Sequence, residues 1–128
     1  CDAIILLQPT NPIRAKNLLK NSIDIFEKSK RKSLATFSKS TIKLGKINNK
    51  FFNSINYKFG QRSQDLNDYF FENGQLYISK TEIINKGQII SKDVYPLITS
   101  DRGSYIDIDT MSDFLEAENY FKNLRDEK

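Results

Sequence analysis

Histidine is absent from all 128 residues. Serine–histidine and cysteine–histidine nucleophilic pairs, histidine general bases and histidine-ligated zinc are therefore excluded within this chain. Chemistry must run on carboxylates, lysine, arginine, tyrosine and amides. Cysteine occurs once, at Cys1, which rules out an internal disulfide framework and a multi-cysteine metal site. No run approaches the roughly 20 consecutive apolar residues that span a bilayer, and no basic-then-apolar leader opens the sequence. The expectation is a cytoplasmic protein with no membrane partner. The first residue is Cys1 rather than Met, and residues 2–7 already have strand character, so the expectation is also that the fold starts upstream.

What is present is ordinary globular material, 38% apolar and 12% aromatic, enough for one domain with a real core. The charge of +4, from 20 Lys and Arg against 16 Asp and Glu, suits an anionic partner; phosphate esters, nucleic acid and an acidic sugar all fit. The densest run, Lys28, Lys30, Arg31 and Lys32, follows an amphipathic stretch. Cations there complement a helix C-terminus, a simpler reading than a binding patch.

Residues 3–7, AIILL, form a short continuous apolar run, which suits a strand buried on both faces of a parallel sheet. Gln8, Pro9, Thr10, Asn11 and Pro12 break it, and Leu18, Leu19, Ser22, Ile23 and Phe26 then recur at helical spacing over residues 15–28. A strand at 33–38 would complete a right-handed parallel crossover. Residues 42–55 alternate loosely about Asn48 and Asn49 and predict a β-hairpin set apart from the main sheet. Strands are predicted at 75–79, at 94–98, where Pro96 suggests an edge, and at 105–108, with a helical turn at 81–85. Thr110 predicts the cap of a final helix with Met111, Phe114, Leu115, Ala117 and Phe121 as its apolar positions, and Asp113 stands three residues on in capping-box spacing.

Asp107 and Asp109 flank one residue of a predicted strand, so the period of two turns both carboxylates to one face and Ile106 and Ile108 to the other. Two hard oxygen ligands at a strand end suit Mg2+ bound to a triphosphate. A second reading stands beside it, in which acids simply favour a helix N-terminus. Gln8 sits at the mouth of a strand, where open α/β sheets bind ligands, and its amide can both donate and accept; it also serves simply to shape the turn. Arg62, Gln64 and Asp65 precede Tyr69, Phe70, Phe71, Asn73 and Tyr77, a set that describes equally a small-molecule pocket and a loop packed on a core. Lys43 and Lys46 on the hairpin are either anion contacts or solvated lysines.

Taken in order, LLQPTNPIR at 6–14, RSQDL at 62–66 with ENGQLYI at 72–78, and DIDT at 107–110 resemble the LLQPTSPLR, RQDLP, NGAIYI and DIDT-type motifs of the acylneuraminate cytidylyltransferases, the CMP-sialic acid synthetase family with its bacterial nonulosonate relatives. The resemblance covers nearly the whole chain. It implies a Rossmann-like nucleotide-diphospho-sugar transferase fold, with a mostly parallel sheet, helices on both faces and a dimerisation arm at about residues 40–66. It implies Mg2+ on Asp107 and Asp109, and sugar contacts from Gln8, Asn73 and Tyr77. It also implies a homodimer in which Lys43 and Arg62 reach the neighbouring subunit's site. The implied reaction is CTP plus a sialic-acid-like nonulosonic acid giving CMP-sugar and pyrophosphate, for cell-surface glycans such as lipopolysaccharide or capsule.

The chain departs from the pattern at Ser63, where an arginine is usual, at Asn67 in place of proline, and at Phe71 and Glu72, where an arginine often precedes the Asn-Gly. These changes imply an acceptor other than N-acetylneuraminic acid. The family's glycine-rich, basic CTP loop has no counterpart here, so the expectation is a partial domain over 1–128 that is inactive alone. The rival readings are a nucleotidyltransferase for another sugar and a non-catalytic dimerisation or binding module, nucleic acid included.

Overall fold

The computed structural model describes residues 1–127. The chain divides into two compact units, one made of residues 1–38 and the chain from Glu72 onward, the other of residues 39–71.

β1 (Ala3–Leu6), β2 (Ser33–Ser40), β5 (Tyr69–Lys80) and β6 (Tyr95–Ile98) form one sheet in the order β1-β5-β2-β6, and all of it but the last two residues of β2 and the first three of β5 belongs to the first unit. β1 pairs antiparallel with β5, Ala3 opposite Lys80 and Leu6 opposite Tyr77. β2 pairs parallel with β6, Leu34 opposite Tyr95 and Phe37 opposite Ile98. Helix α1 (Leu18–Ser29) follows β1, the short α2 (Thr81–Asn85) follows β5, and α3 (Met111–Asp126) closes the chain.

The expected mostly parallel, Rossmann-like sheet is corrected by this order: the sheet is mixed, with one parallel pair and otherwise antiparallel strands. The cause is visible at β1. Its apolar run predicted a strand covered on both faces, yet Ile4, Ile5, Leu6 and Leu7 are each 37–42% exposed, because β1 is an edge. Nor do β1, α1 and β2 form a crossover between neighbouring strands, since β5 lies between β1 and β2. An apolar run records that a strand seeks burial, not which strand it will pair with.

The core falls into two clusters. Leu18, Leu34, Leu76 and Ile78 join α1 to the central strands, with Ile23, Phe26 and Leu97 packed around them. Ser22 faces the same way, fully buried, and its hydroxyl donates back to the Leu18 carbonyl at 2.7 Å, the usual way a helical serine is satisfied in an apolar setting. Lys30, in the left-handed conformation at φ 59°, ends the helix. The second cluster, Ile13, Ile106 and Ala117 with Ile108, Tyr120 and Leu124, contains no residue of the sheet. It is the platform for α3, and it differs from the expected apolar stripe: Met111, Phe114, Leu115 and Phe121 are exposed.

No strand forms at 105–108. A single 3-10 turn at Arg102–Tyr105 leads into an irregular, extended segment, whose Ile108 amide donates to the Thr10 carbonyl at 2.8 Å. Beyond it, the Asp113 carboxylate accepts from the Asp109 and Thr110 amides at 3.0 and 2.9 Å, and the Asp113 amide donates to Thr110 Oγ1 at 3.2 Å, a complete capping box.

The second unit contains β3 (Gly45–Asn48) and β4 (Phe51–Ser54), an antiparallel hairpin with Lys46 opposite Asn53. The turn falls on Asn49 and Lys50, both at positive φ (48° and 70°), one residue later than expected. Two successive left-handed residues match the right-handed twist of the strands they join. Asn56 bridges the hairpin's base, accepting from the Leu44 amide and donating to the Ile42 carbonyl, each at 2.7 Å.

Hydrogen bonds from the Asp109 amide, then from Thr110, hold the Asp113 carboxyl below the ordinary carboxylate range. A group whose folded pKa is lowered stabilises fully above its unfolded pKa, and that contribution is lost as pH falls through the folded value. In a carboxyl NMR titration Thr110→Ala should therefore move the Asp113 midpoint upward from its wild-type position. An Asp113 midpoint that Thr110→Ala leaves unchanged would contradict the capping box.

Candidate functional site

The site forms where the loop after β1 lies on β5. Pro9 and Thr10 make a turn closed by the Asn11 amide donating to the Gln8 carbonyl at 3.2 Å, with proline in the position that fixes φ for such a turn. Arg14 reaches back under it. Its Nε donates to the Gln75 carbonyl at 2.7 Å and its Nη2 to the Gln8 carbonyl at 2.9 Å, so one guanidinium ties the loop to β5. Burial draws the Arg14 pKa down from its ordinary value. Gln75, fully buried, adds a bond from Nε2 to the Ile13 carbonyl at 2.6 Å, while its Oε1 is without a partner.

Gly74 makes the close approach possible. Its φ is +75°, and a Cβ there would collide with Gln8 Oε1 and Asn11 Oδ1. Glycine is required twice over, for the backbone angle and for the space. Asn11, buried, then links this loop to the acidic segment: Nδ2 donates to Asp107 Oδ1 at 3.2 Å and to the Ile106 carbonyl at 3.4 Å. Gln8, Asn11, Gly74 and Asp107 are thereby brought into one neighbourhood. Along the segment, Asp107 and Asp109 are exposed and alternate with buried Ile106 and half-buried Ile108. Among the described residues no group of three or more acidic, cysteine or histidine side chains converges. The carboxylates here that could hold a cation are those of Asp107 and Asp109; Mg2+ commonly takes one or two carboxylates and leaves its other positions to substrate oxygens and water.

Asn73 has a different situation from the one expected of a pocket residue. Its Oδ1 accepts from Thr36 Oγ1 at 2.6 Å and from the Gln75 amide at 3.1 Å, and its Nδ2 donates to Ser38 Oγ and Thr99 Oγ1, each at 2.7 Å. All of these side chains are buried. The amide is consumed inside the fold, where it joins β5 to β2 and to the residue after β6. Tyr77, on the same strand and opposite Leu6, is also buried; burial, then the negative charge of Glu72, pushes its hydroxyl pKa up.

Lys43 and Arg62 lie in the unit of residues 39–71. The Lys43 ammonium sits 5.3 Å from the centre of the Tyr57 ring, and the Arg62 guanidinium meets Asp65 at 3.0 Å. A cavity of about 470 Å³ opens elsewhere, between residues 12–16 and α3, lined by Ile13, Ala15, Phe121 and Leu124 among others. It includes none of Gln8, Lys43, Arg62, Asn73, Tyr77, Asp107 and Asp109.

Three residues that hold the site together, Asn11, Arg14 and Gly74, do not stand out individually in the sequence. Gly74 carries a signal, since an Asn-Gly pair inside an apolar run marks a position needing positive φ. Asn11 and Arg14 carry none, because their partners are 96 and 61 residues away. No protein-family model matches the chain, and no curated protein matches it.

Gly74→Ala should destabilise the first unit by more than about 1 kcal/mol, since both the angle and the space are wrong for a side chain. Urea denaturation measures the loss. A neutral Gly74→Ala would mean that the loop does not rest on β5.

Proposed function

We propose that this neighbourhood serves cytidylyl transfer to a sialic-acid-like nonulosonic acid, with CTP as donor and pyrophosphate as leaving group. The observation that carries the reading is the 3.2 Å bond from Asn11 to Asp107, which joins the LLQPTNPIR loop to the DIDT segment beside the Asn-Gly of β5. Segments that resemble one family's motifs in sequence, but lie far apart along the chain, share one place.

In this reading Gln8 offers an amide to the sugar's acylamino or hydroxyl groups, and Asp107 and Asp109 hold Mg2+. Bound there, the ion would supply neutralisation of triphosphate charge. The anomeric hydroxyl of the sugar forms a bond to the α-phosphorus and gives up its proton, and the bond from the α-phosphorus to the bridging oxygen breaks, releasing pyrophosphate. Most of the rate advantage comes from alignment of the two substrates and from charge stabilisation. Asn73 and Tyr77 act from behind the surface: the Asn73 network fixes the backbone at Gly74 against which Gln8 rests. A homodimer, with Lys43 and Arg62 serving the partner's site, and a cytoplasmic setting belong to the same proposal. Among the described residues no helix is long and apolar enough to cross a membrane.

The test is equilibrium binding. The chain is titrated with a panel of nonulosonic acids in the presence of CMP and Mg2+, and binding is followed through backbone amide shifts. At least one acid should bind saturably; Gln8→Ala should weaken it about tenfold, equivalent to about 1.4 kcal/mol, and Asp107→Ala should remove the Mg2+ dependence. No saturable binding across the panel overturns the reading. Nucleic-acid binding that falls steeply with salt and is indifferent to Asp107→Ala would favour a binding module instead.

A further inference from the structure

The cavity between residues 12–16 and α3 is lined by neither Gln8 nor Asp107, and its chemistry differs from theirs. Its walls are apolar, Ile13 and Ala15 from the loop and Phe121 and Leu124 from the helix, and its volume of about 470 Å³ is that of a small-molecule site. A smaller hollow of about 230 Å³ adjoins it. The two share Pro12, Ile13 and Phe121, and the smaller one continues the apolar wall to Ile108 and Phe114. Together they follow α3 from Phe114 to Arg125, about 16 Å at 1.5 Å per helical residue. Phe114 and Phe121, 49% and 53% exposed, leave much of that wall in water.

Charge is distributed unevenly along this trough. In the smaller hollow the one charged residue, Glu118, is paired with Lys122 at 3.4 Å. The larger hollow is lined by Arg14, Lys16 and Arg125 against a single acid, Asp101. The Arg14 guanidinium is committed to the Gln75 and Gln8 carbonyls. Lys16 and Arg125 are exposed, and neither has an ion-pair partner among the described residues. Arg125, in the last turn of α3, also complements the carbonyl end of its own helix. No such account covers Lys16, which precedes the start of α1, where a helix dipole disfavours a cation.

We propose that the trough binds a monomeric amphiphile, an apolar chain lying along α3 with a single anionic group, a carboxylate or a phosphate ester, between Lys16 and Arg125. The charge selects the sign of the head group, and the exposed apolar wall selects the body, since each methylene taken out of water adds to affinity. The narrow, concave shape suits a chain better than a protein surface, which needs a broad patch of roughly 800 Å² per partner. The inference does not depend on the cytidylyl-transfer reading.

The experiment titrates the whole chain with decanoate, and separately with decyl phosphate, below the concentrations at which they form micelles, and follows backbone amide shifts. Decanol and decyltrimethylammonium are the neutral and cationic controls. At least one of the two anions should bind saturably, with shifts centred on residues 12–16 and 108–125, and about tenfold or more tightly than either control; the tighter anion identifies the head group. Lys16→Glu combined with Arg125→Glu should weaken the anion about tenfold and leave decanol unchanged. Ala15→Trp, which fills the hollow, should remove binding of both. Circular dichroism and a thermal melt establish that the variants are folded; if Ala15→Trp is not, Ala15→Leu should weaken both ligands in the same sense.

The proposal is overturned if neither anion binds saturably, if decanol binds as tightly as the anions, or if folded variants with the two charges reversed keep wild-type affinity for them. Absence of monomer binding together with sedimentation on phosphatidylglycerol vesicles would assign the face to a membrane surface instead, and absence of monomer binding together with a dimer that Ala15→Trp dissociates would assign it to a second copy of the chain.

Discussion

Because Gly74 has no Cβ, the loop after β1 can lie directly on β5, and much of the first unit's architecture depends on that contact. Gln8 and Asn11 touch the vacated space; Asn11 in turn holds the segment of Asp107, and that segment feeds the platform of Ile13, Ile106 and Ala117 on which α3 rests. A methyl group at Gly74 would displace the side-chain ends of Gln8 and Asn11, and with Asn11 its bonds to Asp107 and the Ile106 carbonyl. The positive φ of Gly74 is the local cost of this arrangement, and glycine carries it without steric strain.

The contact needs a rigid floor, and a buried hydrogen-bond network supplies one. Thr36 and Ser38 of β2, Asn73 of β5, Thr99 and Ser104 are all buried, and their side chains bond to one another or to nearby carbonyls. Such a network in a low-dielectric interior is stabilising only when every member is satisfied, and Asn73 uses both ends of its amide. The one orphan nearby, Gln75 Oε1, belongs to a side chain whose other end is fixed on the Ile13 carbonyl; removing Gln75 would forfeit that anchor, which explains why an amide rather than an aliphatic group stands there.

How far the structure could be read from residues alone depended on the distance over which each signal acts. Thr110 and Asp113 are three residues apart, and their capping box was legible, as were the hairpin and the α2 turn at 81–85. Sheet order was not, because a strand's partners are chosen by the whole chain. The apolar run of β1 marked a strand, but the expected burial on both faces is absent, because β1 stands at an edge with its isoleucines and leucines exposed. The exposed Phe114 and Leu115 mark the same limit, since helical spacing identifies an apolar stripe but not whether anything covers it. At the site, Gln8 and Asp107 stood out by residue type and motif, whereas Asn11, which joins them, looked like part of a proline-flanked turn. Its role exists only through Asp107, 96 residues away.

β1 also bears on how the protein behaves at high concentration. An edge strand offers unpaired amides and carbonyls to any passing chain, and here that edge carries half-exposed isoleucine and leucine on both faces. Two features counter the hazard: the strand is only four residues long, and a net charge of +4 makes copies repel one another. The second is the weaker guard, because dissolved salt shortens the reach of that repulsion while leaving the stickiness of the isoleucines intact. Colloidal stability is thus entrusted to lysines and arginines elsewhere on the surface.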